Sequence, residues 1–120
     1  MKIYKCFVFD AAHYLPEYEG KCAQLHGHRW KVEIGLVGDT DHKTGMVLDF
    51  STLKEIITPM LDKLDHHLIN DIIPNPTAEN IVMWLKWQIA VTTINTKLAV
   101  IRVWETEDSY AEWTRWDATF

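Results

Sequence analysis

The hydrophobic period of this chain switches from two to 3.6 part-way along it, and that switch limits the fold more than any other feature. From His28 to Val37 apolar and polar residues alternate. Trp30, Val32, Ile34 and Leu36 share one face, and Lys31 and Glu33 lie on the other, as in a half-buried strand. Further on, Leu53, Ile56, Ile57, Met60, Leu61 and Leu64 fall at the spacing of an amphipathic helix. Ser51 or Thr52 can cap it, Thr52 with Glu55 makes a capping box, and Pro59 is expected to kink it.

The other elements arrange themselves around that switch. Ile3 to Phe9 is rich in aromatic and β-branched residues and reads as a strand. Asp10 to Ala23 reads as a loop, Asp39 to Gly45 as a turn and Met46 to Phe50 as a short strand. Pro76 and Thr77 announce a second helix with Thr77 as its N-cap, carrying Ile81, Trp84, Leu85 and Gln88 on one face. Leu98 to Trp104 and Tyr110 to Trp116 read as the last strands. The order ββααββ is an α+β arrangement: a sheet with two helices on one face, whose other face needs a cover. With 120 residues the chain fits a single domain, 1–120. Six Trp, four Tyr and four Phe are many for so short a chain; they can fill a core or cover an interface between subunits, and the interface is the favoured reading.

Charge and cysteine content exclude several classes of function. The net charge is −5 and no basic run is present, which argues against nucleic acid as a partner. Nothing resembles a signal peptide or a membrane span, and two cysteines are too few for a disulfide scaffold, so a cytoplasmic protein is expected.

The polar residues that stand out are histidines. His26 and His28 flank Gly27, and in an extended chain their imidazoles point the same way and can reach one metal ion. His13 can supply a third ligand if the first two strands are neighbours. Three neutral imidazoles leave zinc an open fourth position, the pattern of a catalytic site. The competing reading is a polar strand end and a loop histidine. Cys22, four residues before His26, reads as a metal ligand, as a base or nucleophile beside the metal, or as a buried thiol. Cys6 reads as a buried structural thiol. Asp65 and His66 form either an orienting carboxylate–imidazole pair or ordinary end-of-helix charges. Glu105 shares a strand face with Ile101 and Val103, so it requires a partner or a ligand unless it ends in water. His42 reads as a surface residue of its turn.

In order along the chain, FDAAHYLP (9–16), CAQLHGH (22–28), GMVLDF (45–50), LDHHLIND (64–71), NPTAEN (75–80) and VWETE (103–107) resemble the tetrahydropterin synthase family. The resemblance covers nearly the whole chain to Glu107, and residues 108–120 add nothing to it. It implies zinc held by His13, His26 and His28, Cys22 as catalytic base activated by Asp65 and His66, and Glu105 anchoring a pterin with help from Thr77 and Glu79. It also implies the tunnelling fold, in which subunits assemble into an oligomeric barrel with sites between them; a hexamer is favoured and a tetramer possible. The Cys-x3-His-Gly-His spacing is similar to the 6-carboxytetrahydropterin synthase branch. The reaction implied is conversion of 7,8-dihydroneopterin triphosphate to 6-carboxytetrahydropterin with loss of acetaldehyde and triphosphate, in queuosine and 7-deazaguanine biosynthesis. The alternatives are a 6-pyruvoyl product, a related side-chain lyase or a non-enzymatic structural zinc module. A hydrolase is disfavoured, since no His-Glu-x-x-His run or nucleophile elbow occurs. No motif places triphosphate-binding cations; Lys21, Arg29 and Lys31 are the basic residues nearest the histidine segment.

Overall fold

The computed structural model describes residues 1–117; residues 118–120 lie outside the described part. Four strands form one antiparallel sheet in the order β1-β2-β3-β4: β1 is Lys2–His13, β2 His26–Val37, β3 Leu98–Thr106 and β4 Ser109–Thr114. Helices α1 (Phe50–Asp62) and α2 (Ala78–Ala90) come between β2 and β3 in the chain. The ββααββ order is therefore as the periodicity indicates.

Both helices pack on one face of the sheet. Phe9, Ala11, Trp30, Val32, Ile34, Ile101 and Val103 join Leu53, Ile57, Leu61, Ile81, Leu85 and Ile89 in one apolar cluster. The strand residues of this set obey the period of two, and the helix residues recur at four. On the other face Tyr4, Val8 and Tyr110 are exposed. Lys31 lies 4.2 Å from the Trp104 ring centroid, and Trp104 packs on Tyr110 at 4.7 Å. β1 and β4 are the sheet edges.

Four local expectations need correction. Met46 to Phe50 forms no strand: Phe50 already begins α1, and 46–49 is a bent approach to it. The cap of α1 is Asp49, whose Oδ1 accepts from the Ser51 backbone N–H at 2.7 Å, and not Ser51 or Thr52. A carboxylate two residues before Ser51 takes one of the orphan donors before either hydroxyl is in position. The loop assigned to Asp10–Ala23 begins later, because β1 continues to His13. Cys6 is exposed on the helix-free face, where its even position in β1 directs it. Pro59 lies within α1, and the helix runs on to Asp62. Thr77 caps α2 as expected, accepting from the Asn80 N–H at 3.1 Å.

Candidate metal centre and surrounding clefts

The site is laid down by strand register. In the β1–β2 ladder His13 pairs with His26, and Ala11 pairs with His28. Opposite residues of an antiparallel pair point to the same face, and so do residues two apart on one strand. All three imidazoles therefore rise from the helix-covered face, in line with Trp30, Val32 and Ile34. Trp30 forms the floor: it is fully buried, donates from Nε1 to the Ala11 carbonyl at 3.3 Å, and meets His13 and His28 edge-on. Glu105, at the end of β3 and in phase with Val103, brings Oε1 to 3.1 Å from His28 Nε2 and 3.8 Å from His13 Nε2.

Hydrogen bonds fix the tautomers. His13 Nδ1 lies 2.8 Å from the Pro76 carbonyl, and His26 Nδ1 lies 2.7 Å from the Gln24 carbonyl. A carbonyl only accepts, so both Nδ1 atoms carry the proton and both Nε2 atoms of the neutral rings present lone pairs. Those two Nε2 atoms face one another at 3.0 Å. Two lone pairs cannot bond to each other, and a cation between them resolves the contact. His28 Nε2 is buried and has no hydrogen-bond partner among the described residues; its short approach to Glu105 is misdirected for a hydrogen bond. Burial, the leading cause, pushes the pKa of His13 and of His28 below the ordinary 6.5, which keeps the rings neutral and ready to coordinate. His13, His26, His28 and Glu105 offer ligand atoms all within 4.8 Å of one another, a group able to hold a metal ion. The carbonyl bonds at Nδ1 are the outer-sphere contacts that orient metal-binding histidines.

The remaining residues singled out from sequence are dispersed around this cluster. Cys22, a free and partly buried thiol, lines a cleft with Gln24, Leu25, His26 and His28. Glu79 and Glu105 line another with Ala78, Ser109, Tyr110 and Ala111, of about 190 Å³. Thr77 spends its side chain on the α2 cap. Asp65 and His66 pair at 3.0 Å (Oδ2 to Nδ1) just beyond α1, against the free edge of β1. His66 lines a cleft with Asp10, Gly27, His28, Arg29 and His67, and Cys22 does not border it. One chain thus assembles the histidines and Glu105 but leaves Cys22 and the Asp65–His66 pair in different clefts. The sequence reading missed the proximity of Glu105 to the histidines, because it depends on β3 lying beside β2. It also missed Asp10 beside His66, where the only sequence signal is an acidic residue on the exposed phase of β1.

Comparisons with known proteins identify the family. The profile of the 6-pyruvoyl tetrahydropterin synthase family matches residues 2–115. A 6-carboxy-5,6,7,8-tetrahydropterin synthase of Synechocystis is 44% identical over 90 residues, covering 69% of this chain and 70% of its own. A putative enzyme of the same name from Archaeoglobus fulgidus is 40% identical, with 87% of both chains covered. The solved 6-pyruvoyl tetrahydropterin synthase of Caenorhabditis elegans superposes with a TM-score of 0.87 at 24% identity, over 95% of this chain and 94% of that one, and speaks for the fold. With a family profile spanning almost its entire length and relatives of this identity, the chain belongs to the 6-pyruvoyl tetrahydropterin synthase family.

Proposed function

We propose that this protein is a zinc-dependent carbon–carbon lyase that converts 7,8-dihydroneopterin triphosphate and water to 6-carboxy-5,6,7,8-tetrahydropterin, acetaldehyde and triphosphate. The observation that carries the proposal is the pair of imidazole nitrogens at 3.0 Å, both presenting lone pairs, beside a third that has no partner. A structural zinc module closed by Cys22 is disfavoured, since Cys22 is not among the ligand atoms gathered around the three histidines; the fourth group gathered there is Glu105, which this reading assigns to the pterin. The names of the relatives at 40–44% identity favour the carboxy product.

His13, His26 and His28 would hold the ion, which when bound supplies Lewis acidity to oxygen ligands of the substrate side chain. Cys22, which borders the His26–His28 cleft, would take a carbon-bound proton from a substrate side chain lying there. The Asp65–His66 pair holds the positive charge that favours a thiolate and relays the proton. Within one chain this pair and Cys22 line different clefts, which share only His28, and in this reading a second copy supplies the pair that faces Cys22. Glu105 and Glu79 accept from the N–H groups of the pterin, with Thr77 fixing the start of α2 beneath them. The cleft they line is smaller than the roughly 300 Å³ usual for small-molecule sites, which also favours completion by a neighbouring subunit. An oligomeric barrel, hexameric or tetrameric, would cover the exposed aromatic face and pair the free edges of β1 and β4. We read residues 1–120 as one domain of a cytoplasmic enzyme. No described helix is long and apolar enough to cross a membrane.

The test is incubation of the zinc-loaded protein with 7,8-dihydroneopterin triphosphate and identification of products by mass spectrometry. Formation of 6-carboxytetrahydropterin with acetaldehyde is expected, and absence of any turnover would overturn the proposal. A 37% identical relative named dihydroneopterin monophosphate aldolase, from Pyrococcus furiosus, favours one second reading, a related side-chain lyase. The same assay with the monophosphate ester separates the two.

A further inference from the structure

Asp65 and His66 are not held by their own helix end alone. The Asp10 backbone N–H donates to Asp65 Oδ1 at 2.9 Å, and the Asp10 carbonyl accepts from the His66 N–H at 2.6 Å. One residue of β1 thereby clamps both members of the pair from its main chain. Ala12 N–H donates to the His67 carbonyl at 3.3 Å and ties down the next residue. The clamp holds His66 in left-handed backbone (φ 57°), which is unfavourable for a residue with a Cβ and needs tertiary support.

The Asp10 side chain turns toward the same place. Ligand atoms of Asp10, Asp65 and His66 lie within 4.8 Å of one another. Arg29, the register partner of Asp10 on β2, restrains its carboxylate at 3.7 Å (Nε to Oδ1). The charged and titratable groups around His66 are thus Asp65 and His67 from its own turn, Asp10 from β1, and Arg29 and His28 from β2. The pKa of His66 is raised, mainly through its hydrogen bond and charge contact with Asp65, with a contribution from Asp10.

We propose that the Asp10 carboxylate, restrained by Arg29, is a positioning residue for the Asp65–His66 pair: it helps orient the His66 imidazole and favours its cationic form. This rests on the catalytic reading of that pair. Because the clamp itself is made by the main chain of Asp10, replacing the side chain leaves the clamp in place and isolates the carboxylate.

The experiment compares wild type, Asp10→Asn and Asp10→Glu by NMR titration of the His66 ring, its resonance identified with His66→Gln, alongside the pH profile of kcat on 7,8-dihydroneopterin triphosphate. Asp10→Asn is expected to move the His66 midpoint to lower pH. The alkaline limb of kcat should move the same way, with kcat down about tenfold, less than the roughly 100-fold that a fully displaced catalytic group costs, and KM little changed. Asp10→Glu should restore both. A His66 midpoint unchanged in Asp10→Asn would overturn the proposal even if stability fell, since a merely structural residue would alter stability and leave the midpoint alone. The NMR arm gives its answer whether or not wild type turns over the pterin, so failure of the proposed function and failure of this inference are distinguishable.

Discussion

Replacing His26 with Ala tests the metal centre through stability, without reference to turnover. An ion that binds only the folded state stabilises it by RT ln(1 + [L]/Kd), about 2.7 kcal/mol at a free concentration 100 times Kd. For a chain of this length, about 4 °C of melting temperature corresponds to 1 kcal/mol, so zinc should raise the wild-type melting point by about 10 °C. His26 contributes one of three converging imidazoles and is only partly buried, so its removal leaves the core intact. Losing a ligand costs at least the ~100-fold that loss of a good outer-sphere partner costs. At the same zinc concentration the free ion then stands near Kd or below it, and the gain falls to about 0.4 kcal/mol, or under 2 °C. Without zinc the variant should melt no lower than wild type, since it relieves two lone pairs facing at 3.0 Å. Differential scanning fluorimetry with titrated zinc and an EDTA control reads all four states. His42→Ala, a change at an exposed turn residue, should respond to zinc as wild type does. Equal zinc stabilisation of wild type and His26→Ala would refute the reasoning, because the ion would then be bound elsewhere.

The metal-free protein should lose stability on acidification. His13 and His28 have folded pKa values lowered below 6.5, so beneath that value the unfolded chain binds more protons; their contribution is present above pH 6.5 and is lost as pH falls from there through the lowered folded values. In His66→Gln, which removes the opposing contribution of a ring whose folded pKa is raised, urea midpoints at pH 7.5 and 5.5 measure this, and an equal or higher midpoint at pH 5.5 would contradict it. Ile34→Ala, at a fully buried position in the inner strand β2, should cost about 2–5 kcal/mol by urea denaturation; a loss below about 1 kcal/mol would mean that the core there is not tightly packed. Cys22→Ala should retain one zinc per chain by metal analysis and lose turnover. Loss of the metal would make Cys22 a ligand instead.

How much of this was legible beforehand differs from element to element. The period of two in Trp30–Leu36 and the 3.6 spacing in Leu53–Leu64 are properties of neighbours in the chain, so sequence alone located β2 and the body of α1. The same local logic put His26 and His28 on one face and made Thr77 a cap. Boundaries were less legible. β1 runs on to His13 because its last residues find ladder partners in β2, a condition no local window contains. Asp49 competes successfully with Ser51 and Thr52 for the start of α1 only once the approach of the chain is set.

Contacts between distant residues belong to the tertiary structure. The pairing of His13 with His26 converts two separate motifs into one centre, and Pro76 and Gln24 carbonyls select the tautomers that make their Nε2 atoms converge. Glu105 reaches the histidines because β3 lies against β2, and Asp10 reaches His66 because the end of α1 turns back onto the edge of β1. Periodicity is written in residues that touch along the chain and survives in the bare sequence. Register, tautomer and charge environment arise where the chain returns on itself, and only the folded arrangement fixes them.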